Sequence, residues 1–554
     1  MNSFLRQHHR AIFYTSWLIL GLIQASFTEL QDDEAYYWVY SKFLAWGYFD
    51  HPPMIALLVK MGYSIFPNEL GVRLFPLLLN VLSLFLIEKL LDKKHPFLFY
   101  AIAVSMAALQ LGGFIAAPDI PLIFFTAFFF LRYKNFCTNQ TTRNSIWLAL
   151  SIALLFYTKY HAVLIVFFTV LSNTKLLVKR RFWVAGIVAL VLYTPHLLWQ
   201  WDFNWVSFRY HLYESNVDPY KFSYTTDYLV GQLLVAGPLA GFILLPAAFL
   251  YKTQSATGRA MKWTMAGIYI FFLLSSFRGK VEVNWTAPVL VPLIILSHQY
   301  LVNKISWQKW LQRITAVTLV LVACMRVSMI VDIVPLKAIK ERYHSWKEWP
   351  QEMKQLTKGL PIVFSNSYQR ASKYWFYTGQ VTYSQNYVGE HRNNYNFWFI
   401  EDQLLGKPVY FLDIYRLNRF PDSLKTPLGY VGYRYDSACN SLAKIQFETG
   451  KESYKIKQGG LLEMKVSARM SRRYMVYLWE NPDIEANIKL FFFKEKKVVN
   501  EILLPKKISE HITDDFKISV DPGLPAGNYQ FRFSIEVRGY NPTHNSEKIQ
   551  LKVN

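Results

Sequence analysis

The stretch AIFYTSWLILGLIQASFTELQDDEAYYWVYSKFLAWGYFDHPPM (residues 11–54) joins two opposite kinds of chemistry. Its first part is an uncharged apolar run that is long enough for a helix to cross a bilayer. Its second part places Asp32, Asp33, Glu34 and Asp50 among aromatic side chains directly after that run. Because a carboxylate at hydrocarbon depth is costly, the acidic segment is expected at the edge of a membrane.

Beyond this stretch the sequence continues as a membrane domain. The whole chain has 554 residues, of which 52% are hydrophobic and 17% aromatic, and long apolar runs recur up to about residue 331. We predict about eleven spans and no cleaved signal peptide, because the first run lacks a clear small-residue cleavage site. The predicted spans are 11–28, 71–91, 96–117, 119–132, 145–157, 160–172, 182–199, 228–250, 263–276, 282–301 and 313–331.

The basic residues indicate how this domain is oriented. A net charge of +22 is compatible with nucleic-acid binding, but Lys and Arg concentrate in alternate short loops, as the positive-inside rule requires. We therefore expect no nucleic-acid partner. The orientation also requires a break at YTKYH (157–161), since one helix over 145–172 would put the basic run 179–181 outside. The three Cys are too scattered for a disulfide framework or a metal cluster.

The chain after residue 331 has the pattern of soluble protein on the outer face. LPIVFSN (360–366) and KPVYFLD (407–413) predict strands and QRASKYWFY (369–377) predicts a helix, which is typical of an α/β layer. The runs YMVYLWE (474–480), IKLFFFKE (488–495) and YQFRFSIEV (529–537) predict strands of an antiparallel β-sandwich. We predict three domains, a membrane domain over 1–331, an α/β domain over 332–437 and a β-sandwich over 438–554.

Polar groups far apart in sequence converge on the predicted outer face. Each has a structural interpretation by itself, as a helix cap, an N-terminal acid or a snorkelling cation. Together, Asp33, Asp119, Lys159 and the segment 278–285 predict a site for an anionic group beside a base. A lipid-linked phosphate fits, because Lys or Arg would stabilise its departure and a carboxylate would take a proton from an acceptor hydroxyl.

Several motifs carry a family resemblance over roughly residues 1–435. DEAYYWVYSKFLAWGYFDHPPMIALL (33–58) resembles the first outer loop of bacterial protein-mannosyltransferase-like enzymes (glycosyltransferase family 39) and the related lipid A aminoarabinose transferases. APDIPLIFF (117–125), YTKYHAVLIV (157–166) and RGKVEVNWTAP (278–288) are similar to further motifs. SYQRASKYWFYTG (367–379) and GEHRNNYNFW (389–398) resemble a periplasmic segment of some members. The resemblance implies a C-type glycosyltransferase fold with periplasmic C-terminal domains.

The resemblance implies roles for Asp33, Asp119, Asp50 and His51, and the charges of the predicted outer face add further candidates. The catalytic candidates are Asp33, Glu34 and Asp119. The candidates for binding the donor phosphate are His51, Lys159, Arg278, Lys280 and Arg73. The candidates for binding substrate are Asp50, Tyr36, Tyr37, His161, Arg370, Arg392 and Asn394. His51 stands where the family has a Lys, so a permanent charge is not assured there. We expect no tightly bound cofactor and keep a divalent metal ion, held by Asp50, His51 or Asp119, as the alternative.

The expected activity is inverting transfer of a hexosyl or pentosyl group from an undecaprenyl-phosphate donor. The acceptor is a hydroxyl or phosphate of lipid A, a glycan or a protein, and the reaction takes place among membrane lipids on the periplasmic side of the bacterial inner membrane. One alternative is a non-catalytic flippase or transporter of lipid-linked glycans, which would carry polar residues through the middle of its spans. Another is an enzyme of the O-antigen ligase type, which uses a diphosphate donor.

Overall fold

The computed structural model describes residues 3–215, 218–334, 336–512 and 515–554. The chain separates into two compact units, Met1–His344 and Ser345–Asn554. The junction lies slightly beyond the predicted end of the membrane domain at residue 331. The predicted α/β and β-sandwich segments fall within one compact unit, so their separation at 437/438 stays a prediction.

The first unit is helical. Its helices are α1 Ser3–Phe27, α2 Asp32–Lys42, α3 Met54–Ile65, α4 Glu69–Leu90, α5 Pro96–Ser105, α6 Ala107–Leu111, α7 Asp119–Thr138, α8 Thr142–Phe156, α9 Ala162–Ser172, α10 Arg180–Asp202, α11 Val206–Arg209, α12 Phe222–Ala236, α13 Gly241–Leu250, α14 Ala256–Ser275, α15 Leu290–Leu301, α16 Ile305–Ile330 and α17 Lys337–Tyr343. Short caps start several of them. The Asn68 side chain, for example, accepts a hydrogen bond from the Gly71 N–H at the start of α4.

Every predicted span coincides with helical structure, but some spans are not single helices. The prediction of one continuous helix over 96–117 was wrong, because α5 ends at Ser105 and α6 covers only Ala107–Leu111. The range 228–250 is also interrupted, since α12 and α13 meet at 91° and Gly237 lies at φ 114°, which favours glycine. The predicted break at 157–161 is confirmed between α8 and α9. Helix α3 was not predicted as an element.

Membrane-length helices are fewer than the predicted spans. Four helices are long and apolar enough to cross a membrane, and the number rises to six if the bent pairs α1–α2 and α12–α13 each count as one span. Shorter apolar helices of 10–17 residues occupy other predicted positions. The figure of eleven spans therefore stays a prediction, whereas the presence of several apolar helices is established for the residues described.

The outer helices expose apolar side chains. Only 22% of the apolar window in α10 and 28% of that in α16 is buried within the protein. Ile187, Val191 and Val320 are each 60% or more exposed. Such faces are unfavourable in water but suit contact with hydrocarbon.

A buried ion pair ties α2 to the remainder of the first unit. The Arg73 side chain on α4 is fully buried, and its Nε and Nη2 donate to the Glu34 carboxylate at 2.7 and 2.5 Å. Nη1 donates to the carbonyls of Ala25 and Thr28, and Nη2 also donates to that of Glu29. All five guanidinium N–H groups thus hold the end of α1 and the start of α2.

Both oxygens of the Glu34 carboxylate accept further hydrogen bonds from the backbone. Its Oε1 also accepts from the Ala116 N–H at 2.8 Å, and its Oε2 accepts from the Gln31 N–H at 2.9 Å. Together, Glu34 and Arg73 fix the chain entering α2 and the loop before α7. A buried charge pair persists when its remaining hydrogen-bonding groups are satisfied in this way.

The second unit begins with a mixed α/β sheet. Its elements are α18 Trp349–Leu356, β1 Ile362–Ser365, α19 Tyr368–Thr378, β2 Thr382–Gln385, α20 Ile400–Leu404, β3 Val409–Asp413, β4 Asp422–Thr426 and β5 Gly429–Asp436. The strand order is β2-β1-β3-β5-β4. Strand β1 pairs in parallel with both β2 and β3, with Ile362 opposite Thr382 and Tyr410. The predicted strands at 360–366 and 407–413 and the predicted helix at 369–377 are confirmed.

Two further sheets follow. Their elements are β6 Gln446–Thr449, β7 Ser453–Ile456, β8 Leu462–Arg469, α21 Arg472–Glu480, β9 Ala486–Lys494, β10 Lys497–Lys507, β11 Phe516–Val520, β12 Gly527–Val537 and β13 Ile549–Val553. The orders are β10-β9-β12-β13-β7 and β11-β8-β6. The rings of Phe447 on β6 and Phe533 on β12 lie 5.2 Å apart, so the sheets face each other as in a sandwich.

Two details of the predicted sandwich were wrong. Strand β7 pairs with β13 in parallel, so the larger sheet is not wholly antiparallel. The run YMVYLWE (474–480) lies in helix α21, where Tyr474 and Leu478 are buried. Their spacing of four residues is the helical repeat, and it outweighs the high strand propensity of the aromatic and β-branched residues in the run.

Replacing Arg73 with Met should destabilise the first unit strongly. The substitution leaves the Glu34 carboxylate buried without its counter-charge, which costs about 3–5 kcal/mol. The free energy of unfolding in mixed micelles measures the effect. Arg10→Met is the matched control, because Arg10 also pairs with a glutamate, Glu88, but has a side chain that is 56% exposed. The control should lose no more than about 1 kcal/mol, and equal losses in the two variants would contradict the structural role of Arg73.

Candidate active site

The first turn of α2 presents two neighbouring carboxylates in different surroundings. Asp33 is exposed, whereas Glu34 is buried against Arg73. Successive residues on a helix point about 100° apart, so one can face solvent while the next faces the core. Since Glu34 and Arg73 use their hydrogen-bonding groups on each other and on the backbone, we infer positioning roles for them. The catalytic role predicted for Glu34 and the phosphate-binding role predicted for Arg73 stay predictions.

The loop after α2 brings Asp50 near Asp33. The Asp50 carboxylate accepts hydrogen bonds from the hydroxyls of Tyr36 and Tyr40, each at 3.1 Å. Burial raises the pKa of Asp50 to about 7, and the nearby Asp33 carboxylate acts in the same direction, while the two hydroxyls oppose it. Tyr36 thus supports Asp50, and the ring of Tyr37 lies 5.7 Å from that of His51.

The surroundings of His51 favour its neutral form. Burial, followed by the nearby Lys159 ammonium, lowers the pKa of His51 well below its ordinary range. Its buried Nδ1 has no hydrogen-bond partner among the residues that the structure describes. His51 therefore supplies a polar group to the site but not the cationic charge of the lysine found there in the resembling family.

Three remote segments meet at Asp119, the first residue of α7. Its Oδ1 accepts from Lys159 Nζ at 2.8 Å, and its Oδ2 accepts from Asn284 Nδ2 at 2.9 Å. The Lys159 and Asp119 side chains are only 5% and 13% exposed. The predicted approach of the loops at 117–119, 157–161 and 278–285 is present. Asn284 was not among the candidates, although it lies in the quoted motif RGKVEVNWTAP.

The segment between α10 and α12 packs over the loop after α2. His211 Nε2 donates to the Asp50 carbonyl at 3.0 Å, and Ser207 Oγ donates to the Tyr48 carbonyl at 2.9 Å. The rings of Phe49 and Tyr210 lie 4.7 Å apart. The abundance of aromatic residues in 200–227 indicated a covering role, but it did not single out His211.

A cavity of about 270 Å³ opens beside these groups. Its polar lining includes His161, His211 and Arg278, and its apolar lining includes Phe271 and Trp285. The buried Nδ1 of His161 has no hydrogen-bond partner within the described part of the chain. The cavity thus combines a guanidinium and imidazoles with a hydrocarbon-like wall, a combination that suits an anionic group attached to an apolar chain.

The remaining predicted cation of this region has a different environment. Lys280 pairs with Glu282 at 2.9 Å on the surface, where their side chains are 60% and 52% exposed. Such a pair contributes little and is readily screened. Of the two predicted phosphate ligands in 278–285, Arg278 lines the cavity and Lys280 does not.

Three predicted substrate ligands belong to the second unit. Arg392 makes a bidentate ion pair with Glu547, at 2.7 and 2.8 Å. Asn394 is buried in a short 3-10 helix, Asn394–Asn396. Arg370 lies on α19. The first two have structural surroundings of their own, so their predicted role in binding substrate stays a prediction.

The residues described do not form a metal-binding cluster. No group of three or more His, Cys, Asp or Glu side chains in that part of the chain is placed to hold a metal ion. The two oxygens of Asp119 are engaged by Lys159 and Asn284. The set Asp50, His51 and Asp119 therefore does not fit a divalent metal ion, and no step below uses one.

Comparison with known proteins relates the chain to membrane glycosyltransferases. The family model described as dolichyl-phosphate-mannose-protein mannosyltransferase matches residues 50–199. The lipid A galacturonosyltransferase RgtD of Rhizobium johnstonii is 23% identical over 316 residues. That alignment covers 54% of this chain and 66% of the relative, just under two thirds of its length.

Two solved structures share the fold. ArnT from Cupriavidus metallidurans in the apo state has a TM-score of 0.57 at 12% identity, over 77% of this chain and 98% of that one. The same protein bound to undecaprenyl phosphate has a TM-score of 0.55 at 12% identity, over 76% and 97%. The chain is therefore a multi-pass membrane protein with the C-type glycosyltransferase fold. Its sequence is similar to that of one lipid A galacturonosyltransferase, and its fold is similar to that of ArnT.

A double-mutant cycle tests the buried contact between Asp119 and Lys159. Asp119→Asn and Lys159→Met should each destabilise the protein, because each leaves the other charge buried without its partner. The double variant should be more stable than the sum of the single effects by about 1–3 kcal/mol, measured as the free energy of unfolding in mixed micelles.

The surface pair Glu282 and Lys280 provides the matched cycle. Glu282→Gln and Lys280→Met should be additive to within about 0.5 kcal/mol, because the pair is exposed. Additive behaviour of the Asp119 and Lys159 variants would show that these side chains do not form the buried contact.

Proposed function

We propose that the chain transfers a sugar from a polyprenyl-phosphate donor to an acceptor hydroxyl at the outer, periplasmic edge of the membrane. The observation that carries the proposal is the exposed Asp33 carboxylate near Asp50 and His51, together with the Lys159–Asp119 ion pair, whose side chains are 5% and 13% exposed. Only a base that is accessible can meet an acceptor, whereas a buried cation and donor groups can meet a phosphate.

The reaction proceeds in one displacement with inversion. The acceptor oxygen forms a bond to the anomeric carbon while its proton passes to the Asp33 carboxylate. The bond between the anomeric carbon and the phosphate oxygen breaks, and its electron pair leaves with the polyprenyl phosphate. Asp33 then returns the proton to water. An acceptor phosphate would already be ionised and would need no base. Loss of activity on replacing Asp33 therefore indicates a hydroxyl acceptor, and retained activity indicates a phosphate acceptor.

Cationic groups stabilise the departing phosphate. Lys159 Nζ has three N–H donors and uses one on Asp119, so two remain for phosphate oxygens. Arg278 lines the neighbouring cavity, where a guanidinium can bind phosphate with two parallel hydrogen bonds. The Asp119 carboxylate accepts hydrogen bonds from both Lys159 and Asn284. Asn284 therefore orients the carboxylate that holds Lys159 in place. His51 adds a neutral polar group.

The apolar lining of the cavity supports a lipid-linked donor. Phe271 and Trp285 lie in the same cavity as Arg278, so a polyprenyl chain and its phosphate would each find suitable contacts. The solved relative in fold binds undecaprenyl phosphate, and the curated relative is a lipid A galacturonosyltransferase. We therefore propose lipid A as the first acceptor to test and galacturonic acid as the first sugar, with glycans and proteins as further acceptors.

Asp33→Asn should lower the transfer rate by at least about 10²-fold, because an amide cannot accept the proton of the acceptor hydroxyl. The assay incubates purified protein with undecaprenyl-phosphate galacturonic acid and lipid A and measures the release of undecaprenyl phosphate. Asp32→Asn is the matched control, since Asp32 is also exposed in the first turn of α2. It should keep nearly full activity.

Full activity of the Asp33→Asn variant would contradict the assignment of Asp33 as the base. Movement of the intact lipid-linked sugar across a vesicle membrane, without release of undecaprenyl phosphate by the unaltered protein, would instead support the transporter alternative. Release of undecaprenyl diphosphate from a diphosphate donor would support the ligase alternative.

A further inference from the structure

The second unit has a cavity of its own at the carboxyl ends of its parallel strands. Strand β1 lies between β2 and β3 and is parallel to both. The chain passes from β1 to β2 on one side and later returns to β3 on the other. In open α/β sheets, ligands bind outside the carboxyl ends of the strands at such a change of direction. A cavity of about 430 Å³ lies at this position, within the usual size range of ligand sites.

Each of the three strands delivers polar residues to the cavity directly after its last residue. Asn366 follows β1, Tyr387 lies just beyond β2, and Tyr415 and Arg416 lie just beyond β3. Asn366 has a φ of 46°, in the left-handed region, and its Oδ1 accepts from the Tyr387 N–H at 3.0 Å. Asparagine adopts this conformation more readily than most non-glycine residues, so Asn366 makes a tight turn at the end of β1.

The wall after β3 is fixed by Asp413. Its Oδ1 accepts from the backbone N–H groups of Tyr415 and Arg416, at 2.6 and 3.1 Å. This turn holds the Tyr415 and Arg416 side chains at the cavity and leaves Asp413 Oδ2 for another partner. The Arg416 guanidinium lies 5.9 Å from the centre of the Tyr387 ring. The cavity is therefore built by hydrogen bonds that do not consume its ligand-binding groups.

Several polar groups line the cavity. They are the hydroxyls of Tyr387 and Tyr415, the Glu390 carboxylate, Asp413 Oδ2, the Arg416 guanidinium and Asn366 Nδ2. They supply donors and acceptors in similar number, beside two aromatic faces. The lining has the two carboxylates of Glu390 and Asp413, the one guanidinium of Arg416 and the imidazole of His391. Because the carboxylates outnumber the guanidinium, the side chains with fixed charge do not favour a phosphate or another anion.

We propose that this cavity binds a saccharide without phosphate groups. A sugar ring presents an apolar C–H face that packs on tyrosine, and its hydroxyls both donate and accept hydrogen bonds. Carboxylate oxygens accept from them, and guanidinium and amide N–H groups donate to them. The inference goes beyond the proposed transfer reaction, since binding here requires neither a donor lipid nor Asp33.

The test is saccharide binding by the full chain in lipid nanodiscs, prepared without sugar-based detergents. Saturation-transfer NMR is recorded with a mixture of free glucose, galactose, mannose and glucosamine, and separately with glucose 6-phosphate. We expect saturable binding of at least one unphosphorylated sugar, with a dissociation constant on the order of 1 mM, and weaker binding of the phosphorylated sugar.

Three variants make the test specific. Tyr415→Ala should weaken binding at least about tenfold, and Asp413→Asn, which preserves the acceptor of the turn, should weaken it to a smaller degree. Tyr430→Ala is the matched control, because Tyr430 is another exposed tyrosine of the same sheet and does not line the cavity. It should bind like the unaltered chain.

Asp33→Asn should also bind normally, so a failure of the transfer proposal leaves this result unchanged. The proposal is overturned if no sugar in the mixture binds, if Tyr415→Ala binds as tightly as Tyr430→Ala, or if glucose 6-phosphate binds more tightly than every unphosphorylated sugar.

Discussion

The buried ion pair between Arg73 and Glu34 is the contact on which the arrangement of the site depends. It joins the end of α1, the start of α2, helix α4 and the loop before α7 in one set of hydrogen bonds. The pair turns Glu34 inward and so leaves Asp33, its neighbour, facing outward. A buried ion pair adds little net stability compared with apolar packing, but breaking it is costly. Its contribution here is to specify one direction for the first turn of α2.

A second network of charges gathers segments that are far apart in sequence. Asp119, Lys159 and Asn284 come from three loops and form one hydrogen-bonded group. His211, which lies between α10 and α12, donates a hydrogen bond to the Asp50 carbonyl and so brings a fourth segment to the site. Because buried polar groups must be satisfied, these contacts fix the relative positions of the loops. Arg278 and the buried Nδ1 of His161 line the neighbouring cavity and are available to a ligand there.

Much of the membrane unit could be predicted from sequence, because apolar runs and the distribution of basic loops report directly on helices and topology. The break at 157–161 followed from charge alone. The helix at 474–480 was missed because a run rich in Tyr, Val and Trp has strong strand propensity, while its burial follows the helical repeat. The bend after Ala236 was missed although Gly237 and Pro238 form a Gly-Pro pair there, which is a local turn signal.

The candidate site shows the same division. The motifs at 33–58 and 117–125 identified Asp33 and Asp119, because acids beside apolar runs are conspicuous. Sequence could not show that Glu34 and Arg73 bind each other, since the two residues lie on separate helices. Asn284 and His211 lie in segments whose spatial neighbours depend on the whole helical unit. The cavity after β1, β2 and β3 likewise exists only once the strand order is known.

The most direct measurement is an electron cryomicroscopy structure of the full chain in nanodiscs with undecaprenyl phosphate. The account predicts phosphate density within hydrogen-bond distance of Lys159 Nζ or the Arg278 guanidinium, on the side that faces Asp33, with the prenyl chain along Phe271 and Trp285. Phosphate density beside the basic residues Lys252, Arg259 and Lys262 and away from Lys159 and Arg278 would contradict it.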